Sequence, residues 1–155
     1  MNDNGTDRRW IVIDLDGTLC DCSHRVHLAQ AKQWDDFHAG IMDDKPYPEV
    51  VEFVKIISPH YNTILCTGRP ETYRKDTWSW VYKYDLEDHL DHLIMRPEKD
   101  YSPDHELKLK LVYDFFGSRE DALSNILLVL DDREKVVEAW RNAGFTCWQV
   151  QVGRY

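Results

Sequence analysis

An apolar run that stops abruptly at two acids constrains the fold of this chain more than any other feature. Residues 10–18 read Trp-Ile-Val-Ile-Asp-Leu-Asp-Gly-Thr, so Asp14 and Asp16 directly follow a stretch typical of a buried strand. The next residue, Gly17, lets the backbone turn. Ligands bind at the carboxyl ends of strands in open α/β sheets, whereas an isolated Asp-Gly after a strand is usually a solvated turn. The residues that end the other strands decide between a site and a turn.

The chain alternates between predicted strands and helices along most of its length. Apolar runs typical of strands occupy residues 10–13, 62–67, 93–95, 125–130 and 145–150. Apolar residues at helical spacing occupy residues 48–58, 71–84, 104–116 and 133–142. This alternation predicts parallel strands joined by right-handed crossovers. We expect an α/β fold, a three-layer Rossmann-like sandwich with a central five-stranded parallel sheet and a small helical insertion after the first strand.

The length fits a single domain over residues 1–155, which is long enough to bury a core without disulfides. Residues 1–9 are polar and are expected to be loose. Residues 20–47 carry irregularly spaced apolar positions among charges. We interpret this segment as the insertion, lying over the site at the carboxyl edge of the sheet.

The composition limits the binding partners and the cellular compartment that we expect for this chain. The chain has 19 Lys and Arg against 28 Asp and Glu, so repulsion opposes extensive binding to nucleic acid, although a local basic site could still bind a chain end. No apolar stretch approaches the roughly 18 residues that span a bilayer, and the N-terminus lacks an apolar signal core. Cys66 and Cys147 lie in apolar runs and fit buried thiols in a reducing compartment. We expect a cytoplasmic protein without membrane contact.

Chemically active side chains follow four of the predicted strands. These residues are Asp14 with Asp16, Thr67 with Gly68 and Arg69, Arg96, and Asp131 with Asp132. Crowded carboxylates repel one another unless a cation lies among them, and oxygen ligands without sulfur or imidazole suit Mg²⁺. A hydroxyl, a backbone N–H and cationic side chains would bind phosphoryl oxygens. The sequence therefore predicts a site that holds a phosphate against magnesium.

These motifs resemble those of the haloacid dehalogenase superfamily of phosphotransferases over almost the whole chain. The superfamily's Asp-x-Asp-Gly-Thr motif is matched by residues 14–18, and its Ser or Thr at a strand end by Thr67. Its lysine on a later helix is matched by Lys108, and its acidic pair after an apolar strand by Asp131-Asp132. The four motifs occur in the superfamily's order.

The resemblance implies a two-step phosphatase mechanism. Asp14 would attack phosphorus and form an aspartyl-phosphate, which water then hydrolyses. Asp16 would protonate the leaving oxygen and then activate the water; two residues on, it shares one side of an extended strand with Asp14. Thr67 and Lys108 would hold the phosphoryl oxygens.

The resemblance also implies a Mg²⁺ ion bound by the carboxylate of Asp14, the backbone carbonyl of Asp16 and one acid of the later pair. We favour Asp132 as the direct ligand, with Asp131 acting through water, and the reverse order remains the alternative.

Lys110 is the alternative to Lys108. Asp104 lies four residues before Lys108 on the predicted helix, so both fall on one face and Asp104 could orient the ammonium. Lys110 lies about 200° around the helix from Lys108, nearer the opposite face. These spacings favour Lys108.

The last third of the chain resembles, more narrowly, the phosphatase domain of phage polynucleotide kinase, a family that removes 3′-phosphates from nucleic acid ends. Residues 131–150 carry a similar series of Asp-Asp-Arg, Val-Val-Glu, Trp-Arg and Cys-Trp-Gln-Val. Arg25 lies nine residues after Asp16, where that family has an essential arginine, and residues 67–69 match its Ser-Gly-Arg. The chain departs from the family at Ser102, where an arginine is common.

The two resemblances together predict a magnesium-dependent phosphatase that acts on 3′-phosphates of single-stranded or short nucleic acid ends. No Gly-x-x-x-x-Gly-Lys-Ser/Thr loop of a kinase occurs in the sequence. A separate kinase or ligase is a possible partner that the sequence leaves open. The expected substrate contacts are Thr18, Arg25, Gly68, Arg69, Arg96 and Asp104, with Arg74 as a further candidate.

Two other functions share parts of this pattern. A nucleotide or small-molecule phosphatase of the same superfamily would use the same site. A receiver domain of two-component signalling also uses acids, a Thr and a Lys around magnesium, but it carries the acidic pair on its first strand. Here the pair comes last, and Asp16 supplies an acid that a receiver lacks.

Aromatic side chains could stack on nucleobases. Trp34 and Tyr47 in the predicted insertion are the preferred candidates. Four other tryptophans have helical or strand spacing, and most of them are predicted to lie in the core: Trp78, Trp80, Trp140 and Trp148.

Overall fold

A five-stranded parallel sheet forms the centre of the computed structural model, which describes residues 8–153. The strands of the chain are β1 (Trp10–Ile13), β2 (Cys20–Asp21), β3 (Lys45–Pro46), β4 (Asn62–Pro70), β5 (His92–Arg96), β6 (Ile126–Asp131) and β7 (Cys147–Gln149). The order across the central sheet is β5-β4-β1-β6-β7, whereas β2 and β3 form a separate antiparallel pair. The predicted parallel sheet is confirmed, with β1 in the middle.

Helices cover both faces of this sheet. The helices are α1 (Val26–Gln30), α2 (Trp34–Ala39), α3 (Pro48–Ile57), α4 (Arg74–Lys83), α5 (Asp104–Phe116), α6 (Arg119–Asn125) and α7 (Glu134–Asn142). Side chains of β1 alternate between the faces, because Ile11 and Ile13 pack with α3 and α4 while Val12 packs with α5, α6 and α7. A strand buried on both sides explains the continuous apolar run of the sequence, and the three-layer α/β prediction is confirmed.

The insertion after β1 begins with a tight turn. Gly17 has φ +85°, a conformation that favours glycine, and its N–H donates to Cys20 O at 2.8 Å. Cys20 then pairs with Pro46 across β2 and β3, so the two ends of the insertion lie side by side. The short helices α1 and α2 lie between these strands, as predicted, but the strand pair itself was not predicted.

Beyond that strand pair, two elements and one tryptophan differ from the predictions. Strand β4 is longer than predicted because its extended backbone continues to Pro70, which pairs with Arg96 of β5. Helix α6 was not predicted; Ser118 caps it by accepting the N–H of Asp121. Trp148 is the exception among the four tryptophans, most of which are predicted to lie in the core, since 55% of it is exposed on edge strand β7.

The other predicted core residues behave as expected. Trp80 and Trp140 are buried, and Trp78 is half-buried against the core. Cys66 and Cys147 are buried free thiols. In the part of the chain that the structure describes, no helix has the length and apolar character needed to cross a membrane. Most of the segment predicted to be loose, residues 1–7, lies outside the described residues.

Candidate active site

Lys108 connects two neighbouring strand ends through Asp14 and Asp131. The N–H of Asp14 donates to Leu130 O at 2.9 Å, which fixes the end of β1 against β6. Lys108 reaches this edge from α5, and its Nζ lies 2.6 Å from Asp14 Oδ1 and 2.8 Å from Asp131 Oδ2. Burial alone would lower the pKa of Lys108, but the two carboxylates outweigh it and raise the pKa. The alternative, Lys110, lies on an exposed face of α5.

Carboxylate oxygens without hydrogen-bond partners converge beside Lys108. Asp14, Asp131 and Asp132 each present an oxygen within 4.8 Å of the others. Both oxygens of Asp131 are occupied, because Oδ2 accepts from Lys108 and Oδ1 accepts the N–H groups of Asp132 and Arg133. In contrast, Asp14 Oδ2 and both oxygens of Asp132 are buried and have no hydrogen-bond partner among residues 8–153. Asp132 therefore offers the free ligand atoms.

This cluster has the chemistry of a magnesium site. Three buried carboxylates share one ammonium, so negative charge is left over that a divalent cation would neutralise. Burial, with the neighbouring carboxylate of Asp131, raises the pKa of Asp132 to about 6. Burial also raises the pKa of Asp14, against the opposing effect of Lys108. An all-oxygen donor set at this charge suits Mg²⁺.

Two arginines hold the carboxylate of Asp16. Arg69 donates from Nε to Oδ2 at 2.9 Å and from Nη2 to Oδ1 at 2.6 Å. Arg25 donates from Nη2 to Oδ1 at 2.6 Å. Burial alone would raise the pKa of Asp16, but Arg69 and Arg25 outweigh it and hold the pKa below its ordinary value. Asp16 is therefore kept as a carboxylate in this arrangement.

Asp44 binds the same two arginines that hold Asp16. Its fully buried carboxylate accepts from Nε and Nη2 of Arg25 at 2.7 and 2.6 Å, and from Nη2 of Arg69 at 3.0 Å. His24 Nε2 lies 2.9 Å from Asp44 Oδ1. Asp16, Cys20 and Asp44 lie close enough together to hold a metal ion. The guanidiniums of the two arginines already supply the positive charge that balances these carboxylates.

Hydroxyls and a glycine border the cluster on the side of β4. Thr67 is buried, and its Oγ1 accepts the N–H of Arg69 at 3.2 Å. The Oγ1 of Thr18 is buried without a partner. A Cβ at Gly68 would lie 2.7 Å from Asp104 Oδ1, so any larger residue there would displace the carboxylate of Asp104. These groups are suited to the oxygens of a phosphoryl group.

Asp104 is bound by arginines rather than by Lys108. Its Oδ1 accepts from Arg96 and its Oδ2 from Arg133, and Arg96 also donates to Gly68 O at 2.9 Å. Asp104 therefore affects Lys108 only through its charge, and the expected direct orientation is not observed. Arg96, expected to contact substrate, is used to hold the loop before α5.

Aromatic residues of the insertion lie next to the arginine cluster. Phe37 covers the guanidinium of Arg25 at 4.1 Å, and Trp34 packs edge-on against Phe37 with 53% of its surface exposed. His38 stacks on Tyr73 with 4.4 Å between ring centroids. Tyr47 is half-buried against the core, which makes Trp34 the more accessible of the two stacking candidates.

The structure pairs one predicted candidate outside the site and adds two residues that the sequence did not indicate. Arg74, kept as a candidate, pairs instead with Glu71 and the carbonyl of Leu93. Asp44 was missed because it becomes a partner of Arg25 only through the pairing of β2 with β3. His38 was missed because a histidine without a second ligand at metal-binding spacing does not reveal that its ring is buried.

Comparison with known proteins agrees with the site. The fold is that of haloacid dehalogenase-like proteins: a haloacid dehalogenase-like family hydrolase from Streptococcus pneumoniae superposes with a TM-score of 0.67 at 14% identity, covering 92% of this chain and 84% of that one. More narrowly, residues 8–155 match the family described as Polynucleotide kinase PNKP phosphatase domain. The chain belongs to this family, and the resemblance read from its motifs is confirmed.

Two relatives extend beyond the length of this chain. A protein of Autographa californica nuclear polyhedrosis virus, provisionally named a bifunctional polynucleotide kinase/RNA ligase, is 30% identical over 137 residues, which are 86% of this chain and 18% of that protein. A chain from the structure of the Pnkp1/Rnl/Hen1 RNA repair complex is 27% identical with a TM-score of 0.77, covering 99% of this chain and 46% of that one. The chain therefore spans less than half the length of either relative.

Proposed function

We propose that this phosphatase removes terminal 3′-phosphates from nucleic acid ends and depends on Mg²⁺. The observation that carries the proposal is the asymmetry of Asp14, whose Oδ1 is held by Lys108 while Oδ2 is buried without a partner beside the free oxygens of Asp132. A carboxylate fixed at one oxygen and free at the other is prepared to attack phosphorus.

The first chemical step transfers the phosphoryl group to Asp14. Oδ2 of Asp14 forms a bond to phosphorus as the bond to the nucleoside 3′-oxygen breaks, which gives an aspartyl-phosphate. The leaving oxygen takes a proton from Asp16. Lys108 and the Oγ1 atoms of Thr18 and Thr67 bind the phosphoryl oxygens.

The second step returns Asp14 to its free form. Asp16 accepts a proton from water as the water oxygen attacks phosphorus, and the bond to Asp14 breaks to release inorganic phosphate. The carboxylate form that Arg25 and Arg69 favour is the form this step requires. The first step requires the acid form, so a phosphate dianion that competes for the two guanidiniums is expected to ease protonation of Asp16.

Asp14 and Asp132 would hold Mg²⁺ with their carboxylates, together with the backbone carbonyl of Asp16. When bound, the ion neutralises the crowded acids and the charge of the phosphoryl oxygens. Both oxygens of Asp131 are already hydrogen-bonded, which supports Asp132 rather than Asp131 as the direct ligand.

A nucleic acid end as the substrate is supported by the family and by the two relatives, whose names refer to polynucleotides and RNA repair. The overall charge of −9 supports recognition of an end rather than of an extended duplex. Since those relatives are longer, a kinase or ligase acting beside this domain is part of the proposal.

A side-by-side assay tests the proposal. Purified protein is given a 3′-phosphorylated oligonucleotide, the same oligonucleotide phosphorylated at the 5′ end, and free nucleoside 3′-monophosphates, each with Mg²⁺ or with a chelator. We expect Mg²⁺-dependent phosphate release that is fastest from the 3′-phosphorylated oligonucleotide. Preference for the 5′-phosphate or for mononucleotides would contradict the substrate, and full activity in chelator would contradict the metal.

A further inference from the structure

The imidazole of His38 is buried near the catalytic groups, yet the mechanism above gives it no role. Only 7% of the residue is exposed, and its Nδ1 is buried without a hydrogen-bond partner in the described part of the chain. A buried polar atom without a partner is costly, so a water molecule or a ligand atom is expected to hydrogen-bond to it.

The ring of His38 is held rigidly by its neighbours. It stacks on Tyr73 at 4.4 Å and meets the edge of Phe37 at 5.2 Å. Phe37 in turn covers Arg25, and Tyr73 OH donates to Asp35 Oδ1 at 3.4 Å. The insertion and the segment after β4 therefore position this ring together, as expected for a group that recognises a ligand.

The charges around His38 are those of the leaving-group side of the site. Its ring is influenced by Asp16, Arg69 and Arg25, whereas Asp14 and Lys108 lie on the side of the transferred phosphoryl group. Burial and the two guanidiniums, against the opposing effect of Asp16, lower the pKa of His38 to about 4. At neutral pH the ring is therefore uncharged and can donate or accept a hydrogen bond without carrying charge.

We propose that His38 is a specificity-determining residue that hydrogen-bonds the 2′-hydroxyl of the terminal ribose, so that the enzyme prefers RNA 3′-phosphates over DNA 3′-phosphates. This inference rests on the proposed function. Asp16 serves the leaving 3′-oxygen, and the hydroxyl on the adjacent sugar carbon is the nearest polar group that RNA has and DNA lacks. A neutral imidazole nitrogen can pair with a hydroxyl in either tautomer, because the hydroxyl both donates and accepts.

Two substitutions separate hydrogen bonding from packing. His38→Phe keeps a ring for Tyr73 but removes both nitrogens, whereas His38→Asn places a polar atom close to the position of Nδ1. The exposed His60 supplies the control His60→Phe. The substrates are one oligonucleotide with a 3′-phosphate on a terminal ribose and the same oligonucleotide with a terminal deoxyribose. Circular dichroism and Tm verify that each variant is folded.

We expect the wild-type protein and His60→Phe to favour the ribose end in kcat/KM. His38→Phe should lower kcat/KM for the ribose end about five- to tenfold, the worth of one hydrogen bond, and leave the deoxyribose end unchanged. His38→Asn should keep most of the preference. Equal losses on both ends, or an unchanged ratio in His38→Phe, would overturn the inference while leaving the 3′-phosphatase activity established.

Binding gives a second measurement that does not need turnover. In the Asp14→Asn background, the Kd for the ribose end should be lower than that for the deoxyribose end, and His38→Phe should remove the difference. No difference in Kd in the parent background would also overturn the role of His38. Absence of phosphate release from every 3′-phosphate by the wild-type protein would instead refute the proposed function itself.

Discussion

Arg25 and Asp44 form a bidentate ion pair inside the protein, with Arg25 Nε 2.7 Å from Asp44 Oδ1 and Arg25 Nη2 2.6 Å from Asp44 Oδ2. Both residues are fully buried, and the same Nη2 reaches Asp16. A paired geometry of this kind fixes the plane of the guanidinium. Asp44 thus fixes the guanidinium that holds the carboxylate of Asp16.

Asp44→Asn is expected to impair both stability and catalysis. Loss of the charge leaves Arg25 and Arg69 incompletely paired in the interior, which should lower the free energy of unfolding by about 3 kcal/mol. The arginines should also release Asp16 from its position and lower kcat by at least about a hundredfold. Urea unfolding and steady-state kinetics measure the two effects. The adjacent and exposed Asp43→Asn is the matched control, and equal effects of the two substitutions would contradict the anchoring role.

Asp14→Asn should abolish the covalent step. An amide does not attack phosphorus, so kcat is expected to fall by at least about a thousandfold. Acid-quenched reactions with a radiolabelled 3′-phosphate should show labelled protein for the wild type and none for Asp14→Asn. Asp36→Asn, on the exposed face of α2, should label like the wild type. Labelling of the Asp14→Asn protein would place the nucleophile elsewhere.

Magnesium should stabilise the folded protein through Asp132. At a concentration of one hundred times its Kd, a ligand that binds only the folded state adds about 2.7 kcal/mol, which thermal unfolding detects as a higher Tm. Asp132→Asn should lose this rise. Without metal it should be more stable than the wild type, because it removes one of three crowded carboxylates. The exposed Asp114→Asn should keep the metal-dependent rise, and a full rise in Asp132→Asn would exclude Asp132 as the ligand.

His38 should make stability sensitive to acid. Burial, reinforced by Arg69 and Arg25, lowers its pKa from 6.5 to about 4, so the unfolded chain binds a proton that the folded protein does not bind between these values. The contribution is complete above pH 6.5 and is lost as the pH falls towards 4. Between pH 7 and pH 5, His38→Asn should therefore lose about 2 kcal/mol less unfolding free energy than the wild type. The exposed His60→Asn should follow the wild type, and parallel pH curves for all three would contradict the prediction.

Trp34 should bind a base of the substrate by stacking. The indole is 53% exposed on the insertion beside Phe37, and stacking on one base is worth about 1–3 kcal/mol. Trp34→Ala should raise KM for an oligonucleotide about tenfold with little change in kcat. Trp148 is exposed to a similar extent, 55%, but lies on edge strand β7, so Trp148→Ala serves as the control. An increase in KM that is the same in both variants would refute a specific stacking role.

The sequence by itself determined the layered fold and the row of groups at the strand ends. Apolar runs buried on both faces read clearly as parallel strands, and Asp14, Thr67 and Asp131 follow such runs directly, so local pattern was enough to place them at one edge. Lys108 was also identifiable, because helical spacing separates it from Lys110.

The tertiary structure alone decided how these groups are held. Asp44 reaches Arg25 from 19 residues away only because β3 returns beside β2, and Asp104 is bound by Arg96 and Arg133 instead of Lys108. Trp148 is exposed because β7 lies at the edge of the sheet, and His38 is buried because Tyr73 stacks on it. Hydrophobic periodicity shows which face of a helix or strand is buried. Ion pairs and buried imidazoles depend instead on which segments come into contact. Those contacts are decided by packing between residues that are far apart in the chain.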